Sequence, residues 1–357
     1  MLIVILDVER MLELFQQGRQ PVSRLAATLG LFLEIFGARN DAANHNLDWL
    51  VSRVIRAYEL DQVRVYFDRY GRYCGHVIWT CVPEAAEQRI LEIGPDEWFG
   101  EQFAAVGDIW ILDFSAQYGR FGDILLDLSK QVPIGVEAVN YFRSKSGARI
   151  CKRISRRDVR SRQRLSTVER STDTKWLMFD GESEEFRHSA AAAIDAATRM
   201  GMAALILARL PEYLAMPLTV LFPRIRNPIR RQQYRLYTSI AGDPIGFYTW
   251  AWMESDALMS HGAKPISALD LGEWNEGLEL FLCDAVATDE GVGRVFSDLS
   301  GEWYPSENLF VYPCFEGHLT DRLRAYQVNG RGRILPAAPR NASGVLNLSR
   351  ALIESDA

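Results

Sequence analysis

Apolar positions recur at helical spacing twice within the first sixty residues. Val22, Leu25, Leu29, Phe32, Leu33 and Phe36 share one face, and Gly37 follows as a stop. Leu47, Leu50, Val51, Val54, Ile55 and Tyr58 mark a second amphipathic helix. The period then shortens to two. "VRVYF", the turn "DRYG" and "YCGHVIW" predict a hairpin between residues 63 and 79. "DIWILDF", short, apolar and β-rich, predicts a buried strand ending near Asp113. "GDILLDLSKQ" predicts a helix, and "VEAVNYFR" and "ARICKRI" predict closing strands.

The same order returns in the second half. "EEFRHSAAAAIDAATRMGMAALILARL" predicts a long helix, with Ser183 at its start. Residues 235–252 predict a hairpin turning at "AGDP", "LELFLCD" a central strand, and "GRVFSDLSGEW" the helix after it. "ENLFVYP" and "RLRAYQV" close the set. The parallel extends to individual residues. Asp113 and Asp284 lie 171 positions apart, as do Gly122 and Gly293, Asp127 and Asp298, Tyr66 and Tyr237, Gly75 and Gly246, and Trp79 and Trp250. A repeat of this length indicates a duplicated domain rather than a solenoid unit. The expected organisation is a first domain at 1–150, a basic connector at 151–182, a second domain at 183–340 and a tail at 341–357. "LPAAPRNASG", just before and into that tail, reads as loop.

Composition sets limits. The chain has 357 residues, 48% apolar and 24% charged, with net charge -6. These values fit a soluble globular protein and exclude a polycation that coats nucleic acid. Five widely spaced cysteines without a C-x-x-C suggest neither a disulfide framework nor a zinc site. The N-terminus lacks a basic n-region, and no stretch of 18 apolar residues occurs, so a cytoplasmic location without a membrane span is expected. Between Lys152 and Arg164 there are seven basic residues and one acid. "PRIRNPIRRQQYR" adds Arg224, Arg226, Arg230, Arg231 and Arg235. These segments read either as solvated surface or as docking patches for an acidic partner. Nucleic acid is the weaker reading, because no stacking aromatics are organised around the arginines.

Helices, a hairpin, a central strand and a glycine-containing turn into a helix form the order of an acetyltransferase-like (GNAT-like) domain. The expected fold is therefore α/β, with two tandem GNAT-like domains, each a mixed central sheet flanked by helices. In that superfamily a Gln/Arg-x-x-Gly-x-Gly/Ala loop holds donor phosphates at a helix N-terminus. Here the first copy offers Gln117, Gly119, Arg120 and Gly122, with Arg120 in place of the first glycine. The second offers Gly291 and Gly293 and lacks the Gln.

The wider pattern, "GHVIW" or "GFYTW", then "EW", then "WILDFSA" or "LFLCDAVA" before a glycine turn, resembles the toxin-activating lysine acyltransferase family. The resemblance covers most of each half. It implies transfer of a fatty acyl group from a thioester donor, acyl carrier protein or acyl-CoA, to a lysine side chain of a protoxin, without a metal. Related maturases acylate lysine or ornithine in ribosomal peptides. Members of the family are usually single domains that form homodimers, so this chain resembles a fused pair. The family's catalytic His and Asp carry over to His45 and Asp113. A base is needed because a lysine amine, with a reference pKa of about 10.4, is protonated near neutrality. His76, inside the first hairpin, is the second candidate base. The second half keeps Asp284 but offers Glu212 and Tyr213 where a His is expected. The expected catalytic copy is thus the first. A non-catalytic tandem that binds an acyl donor or a peptide is the alternative.

Overall fold

A computed structural model describes residues 24–67, 73–98, 103–116, 124, 138–145, 148–155, 184–253, 274–300, 308–311, 314–315, 318–319, 324–327 and 345–347. Residues 52–194 form one compact unit, and residues 20–51 with 195–357 form the other, over their described parts. The helix α1 (Arg24–Gly37), a 3-10 turn at Ala42–Asn44 and the start of α2 (Leu47–Glu59) therefore pack with the later part of the chain.

The first unit is built on a five-stranded mixed sheet. Strands β1 (Val63–Phe67), β2 (Tyr73–Val82), β3 (Asp108–Ala116), β4 (Ala138–Lys145) and β5 (Ala148–Ser155) lie in chain order, with only β3 and β4 parallel. Nearly every residue of β2 is buried, so both faces of the sheet are covered there. Helix α3 (Glu84–Ile93) was not evident from periodicity. It starts after Pro83 and stops at Gly94, whose φ of 84° places it in the left-handed region. Arg149 donates to the Glu92 and Ile93 carbonyls and so satisfies that helix end.

The second unit contains α4 (Glu184–Leu207, from Asp195 onward), the short α5 (Pro211–Leu214) and α6 (Leu218–Arg231). Its sheet uses β6 (Tyr234–Thr238), β7 (Pro244–Met253), β8 (Glu279–Thr288) and β9 (Asn308–Val311). After the small hairpin β10 (Cys314–Phe315) and β11 (His318–Leu319), β12 (Arg324–Gln327) joins it. The order is β12-β9-β8-β7-β6, and a last strand, β13 (Val345–Asn347), pairs with β8. Helix α7 (Asp289–Ser300) follows β8 directly. Helix α6 carries Pro223 and Pro228, which a sequence reading treats as breakers. Each interior proline costs about 3 kcal/mol. Burial of Leu218, Leu221, Phe222, Ile225 and Ile229 offsets this at roughly 1.5–3 kcal/mol per side chain.

The two sheets share their irregularities as well as their order. β2 and β3 shift register between Ile78 and Trp79, and β7 and β8 shift between Thr249 and Trp250. Gln62 donates to the Ala104 carbonyl and accepts from the Trp79 N–H, while Gln233 donates to the Trp274 carbonyl and accepts from the Trp250 N–H. Arg64 lies 5.7 Å over Trp79, and Arg235 lies 5.7 Å over Trp250.

Within the second unit, equivalent positions also meet each other. The Leu47 N–H donates to the Met216 carbonyl at 3.3 Å, and the Leu218 N–H donates to the His45 carbonyl at 2.8 Å. Asn46 and Pro217 form the bridge between these bonds. Helices α1 and α4 cross at Gly30 and Gly201. A Cβ on Gly30 would strike the Ala197 carbonyl, and one on Gly201 would strike the Ala26 carbonyl. Each contact swaps its partners at the 171-residue offset, as in an isologous interface. Among the described residues no helix is long and apolar enough to cross a membrane.

The crossing makes a direct prediction. Gly30→Leu or Gly201→Leu should lower stability by about 2–3 kcal/mol through overpacking. Gly293→Ala, where an added Cβ meets nothing within 4 Å, should be neutral or stabilise by up to about 1 kcal/mol. Urea unfolding of the three variants compares them.

Candidate active site

The register shift before each of these aspartates leaves one residue, Leu112 or Cys283, without a cross-strand partner on β2 or β7. A buried arginine reaches its carbonyl in both units. Arg224 of α6 donates to the Cys283 carbonyl at 2.9 Å, and Arg53 of α2 donates to the Leu112 carbonyl at 3.4 Å and the Pro95 carbonyl at 2.6 Å. Arg53 and Arg224 stand 171 positions apart, a correspondence that sequence reading overlooked.

Beyond this shared base the two sites diverge. In the second unit Asp284 is 1% exposed. Arg224 Nε lies 2.8 Å from both of its carboxylate oxygens, and Tyr213 donates to Oδ1 at 2.5 Å. Thr249 donates at 3.4 Å. The pair is buried on both sides, so Asp284 holds α5, α6 and β8 together rather than facing a reactant. Neighbouring groups resist ionisation. Burial, then the Asp284 charge, pushes the Cys283 thiol well up. Burial and the nearby Asp298 charge push the Tyr248 phenol up to about 12. Tyr237 also hydrogen-bonds Asp298. None of these supplies a base near neutral pH.

The first unit places an imidazole at this position. β2 aligns Ile78 with Asp113, so His76, two residues away, lies on the same face and diagonal to it. His76 Nε2 is 3.2 Å from Asp113 Oδ1, and Tyr73 Oη is 2.6 Å from His76 Nδ1. Of the two neutral tautomers, only one satisfies both bonds. Nε2–H donates to Asp113, and the Tyr73 hydroxyl donates to Nδ1. His76 is fully buried, the Asp113 side chain keeps 15% exposure, and Tyr73 is half-buried. In the second unit Phe247 replaces His76 at the 171-residue offset.

His45, expected to pair with Asp113, packs in the other unit. Its ring stacks on Trp49 at 3.9 Å, and its Nε2 lies 3.8 Å from Asp41. Its carbonyl belongs to the Asn46–Pro217 bridge. The side chain that meets Asp113 is instead His76, and Tyr73 is a further member that the sequence did not suggest. Gln117, Gly119, Arg120 and Gly122 lie outside the described residues. Gly291 sits in the first turn of α7, where a Cβ would strike the Ile245 carbonyl, and its N–H donates to Thr288 Oγ1 at 3.3 Å. Gly293 faces open space. Asp289 and Glu290 occupy the same turn, which opposes an incoming phosphate. Of the expected basic patch, Arg224 is consumed by Asp284, and Arg226 and Arg230 face Glu34 at 3.8 and 3.2 Å. Arg153 pairs with Asp108.

Residues 192–327 match the model of the RTX toxin acyltransferase family, HlyC. The chain is also similar to the lysine-acyltransferase RtxC of Vibrio cholerae serotype O1 (strain ATCC 39315 / El Tor Inaba N16961), with 30% identity over 89 residues. That alignment covers 24% of this chain and 54% of RtxC, so the chain spans about half the length of the curated relative it matches. The span matched by the family contains Tyr213, Arg224, Thr249 and Asp284, while Tyr73, His76 and Asp113 precede it.

A buried ion pair broken on one side leaves an uncompensated charge. Arg224→Met should therefore cost about 3–5 kcal/mol, and adding Asp284→Asn should recover part of the loss. Urea titrations of the single and double variants measure both.

Proposed function

We propose that the chain is an acyltransferase that moves a fatty acyl group from a thioester to a lysine or ornithine amine of a protoxin or ribosomal peptide. In this reading the chain is a tandem duplication of a GNAT-like domain, with chemistry in the first copy. The family match over 192–327 supports the reaction class. The Tyr73–His76–Asp113 array is the observation that carries the assignment to the first copy.

The proposed chemistry follows from the hydrogen bonds. The acceptor arrives as an ammonium and must lose a proton to become a nucleophile. Tyr73 Oη takes that proton as its own moves to His76 Nδ1, and Asp113 stabilises the resulting imidazolium. The amine nitrogen then attacks the thioester carbon. The C–N bond forms as the C–S bond breaks. The imidazolium returns its proton through Tyr73 to the departing sulfur, which leaves as a thiol, and the nitrogen sheds its second proton to solvent on becoming the amide. Both acyl carrier protein and acyl-CoA fit this scheme as donor.

A second reading, a non-catalytic binding tandem, draws support from the locked Asp284 pair. The two separate by mass. Coexpression with a candidate protoxin or peptide should add a fatty-acyl mass to a Lys or Orn side chain. His76→Gln should reduce the transfer rate about 10²–10⁴-fold, the usual range for removing a general base. Tyr73→Phe should reduce it while the fold is kept, whereas His45→Ala should leave the rate within about twofold. Full transfer by His76→Gln would contradict the assignment, and no transfer by the wild type to any acceptor would favour the binding reading.

A further inference from the structure

One edge of β8 takes two partners in succession. β7 covers the opposite edge from Glu279 to Ala287. On the free side, β9 pairs in parallel with Leu280–Leu282. Past the register shift, β13 pairs antiparallel with Val286–Thr288, aligning Val345 with Thr288, Leu346 with Ala287 and Asn347 with Val286. The tail, expected to be loop at its start, thus delivers a strand to the place where β8 has left β9. In the first unit no strand among the described residues pairs with β3 at the corresponding stretch on that side.

The chemistry of this edge suits a peptide. Asp289 and Glu290 stand at the start of α7, immediately after the paired residues, and disfavour an anionic ligand. The Gly291 N–H is already engaged by Thr288. Ala285, Val286 and Ala287 are buried, so a partner meets main chain rather than side chains. An extended segment read through its backbone is the ligand such an edge selects. Among the described residues the pairing spans three positions, and each hydrogen bond is weak in net terms, so the resident strand can be exchanged.

We propose that the Val286–Thr288 edge is a docking site for an extended segment of the acyl acceptor, and that residues 345–347 hold it until the acceptor displaces them. The identity of the ligand as acceptor rests on the acyltransferase reading, whereas exchange of the strand does not. The second copy then serves recognition, in keeping with its locked aspartate.

Hydrogen exchange on the full chain tests the exchange directly. The probe is a synthetic peptide with the sequence of residues 341–350, NASGVLNLSR, added above the roughly millimolar effective concentration of a tethered strand. In the wild type the amides of residues 345–347 should lose protection about tenfold or more, while those of 286–288 stay protected. In the Leu346→Pro, Asn347→Pro variant the 286–288 amides should open, and the peptide should close them again. Unchanged protection of 345–347 under excess peptide would overturn the proposal and make β13 a fixed structural strand. The proline variant should also lower the KM for the acceptor several-fold at constant kcat, and an unchanged KM would remove the acceptor from the site. Absence of any acyl transfer would sink the acyltransferase reading and leave the exchange result standing.

Discussion

A carboxylate within a central strand must be compensated, and both units meet this constraint with the same framework. A register shift frees a carbonyl beside the aspartate, and a buried arginine from the preceding helix occupies it. Everything around the site depends on that arrangement, because it fixes the helix against the sheet and aims the carboxylate. The difference lies in what else reaches the aspartate. Asp284 meets a bidentate guanidinium and a phenol, all of them buried. Arginine stays charged at all accessible pH, so Asp284 keeps a permanent cationic partner. Asp113 meets an imidazole, a side chain that commonly exchanges protons near neutral pH.

Phe247 stands where the first unit has His76 at the 171-residue offset, so the two equivalent aspartates meet different partners. The reciprocal contacts at Gly30 and Gly201, and around Asn46 and Pro217, tie equivalent helices together within the second unit. His45 is absorbed into this arrangement. Its carbonyl completes the bridge, and its ring covers Trp49.

Much of the fold was legible in the sequence. The hairpins, central strands and most helices obey their apolar periods, and the 171-residue offset is visible without coordinates. Helix α6 was hidden by Pro223 and Pro228, because local propensity does not report the tertiary burial that overrides it. α3 is a mostly exposed helix without a strong apolar period. β13 was hidden because three residues carry no period at all. At the site, the aspartate was legible from its repeat, and His76 was a lesser candidate. The pairing was not, since a one-residue register shift decides which side chains of β2 face Asp113. The alternation that made His76 look like a hairpin residue is the same alternation that places it beside the carboxylate. Arg53 and Arg224 share the offset with the quoted motifs, and the offset alone could have found them.

The central claim is that equivalent aspartates do different work. Asp113→Asn and Asp284→Asn test it together when thermal melting and the acyl-transfer rate are measured on each. The account predicts that Asp113→Asn loses at least about a hundredfold in rate with little change in melting. It predicts that Asp284→Asn loses stability by about 3–5 kcal/mol, yet transfers at near wild-type rate at temperatures where it remains folded. The opposite outcome, a folded Asp284→Asn that is inactive beside an active Asp113→Asn, would place the chemistry in the second unit and contradict the account.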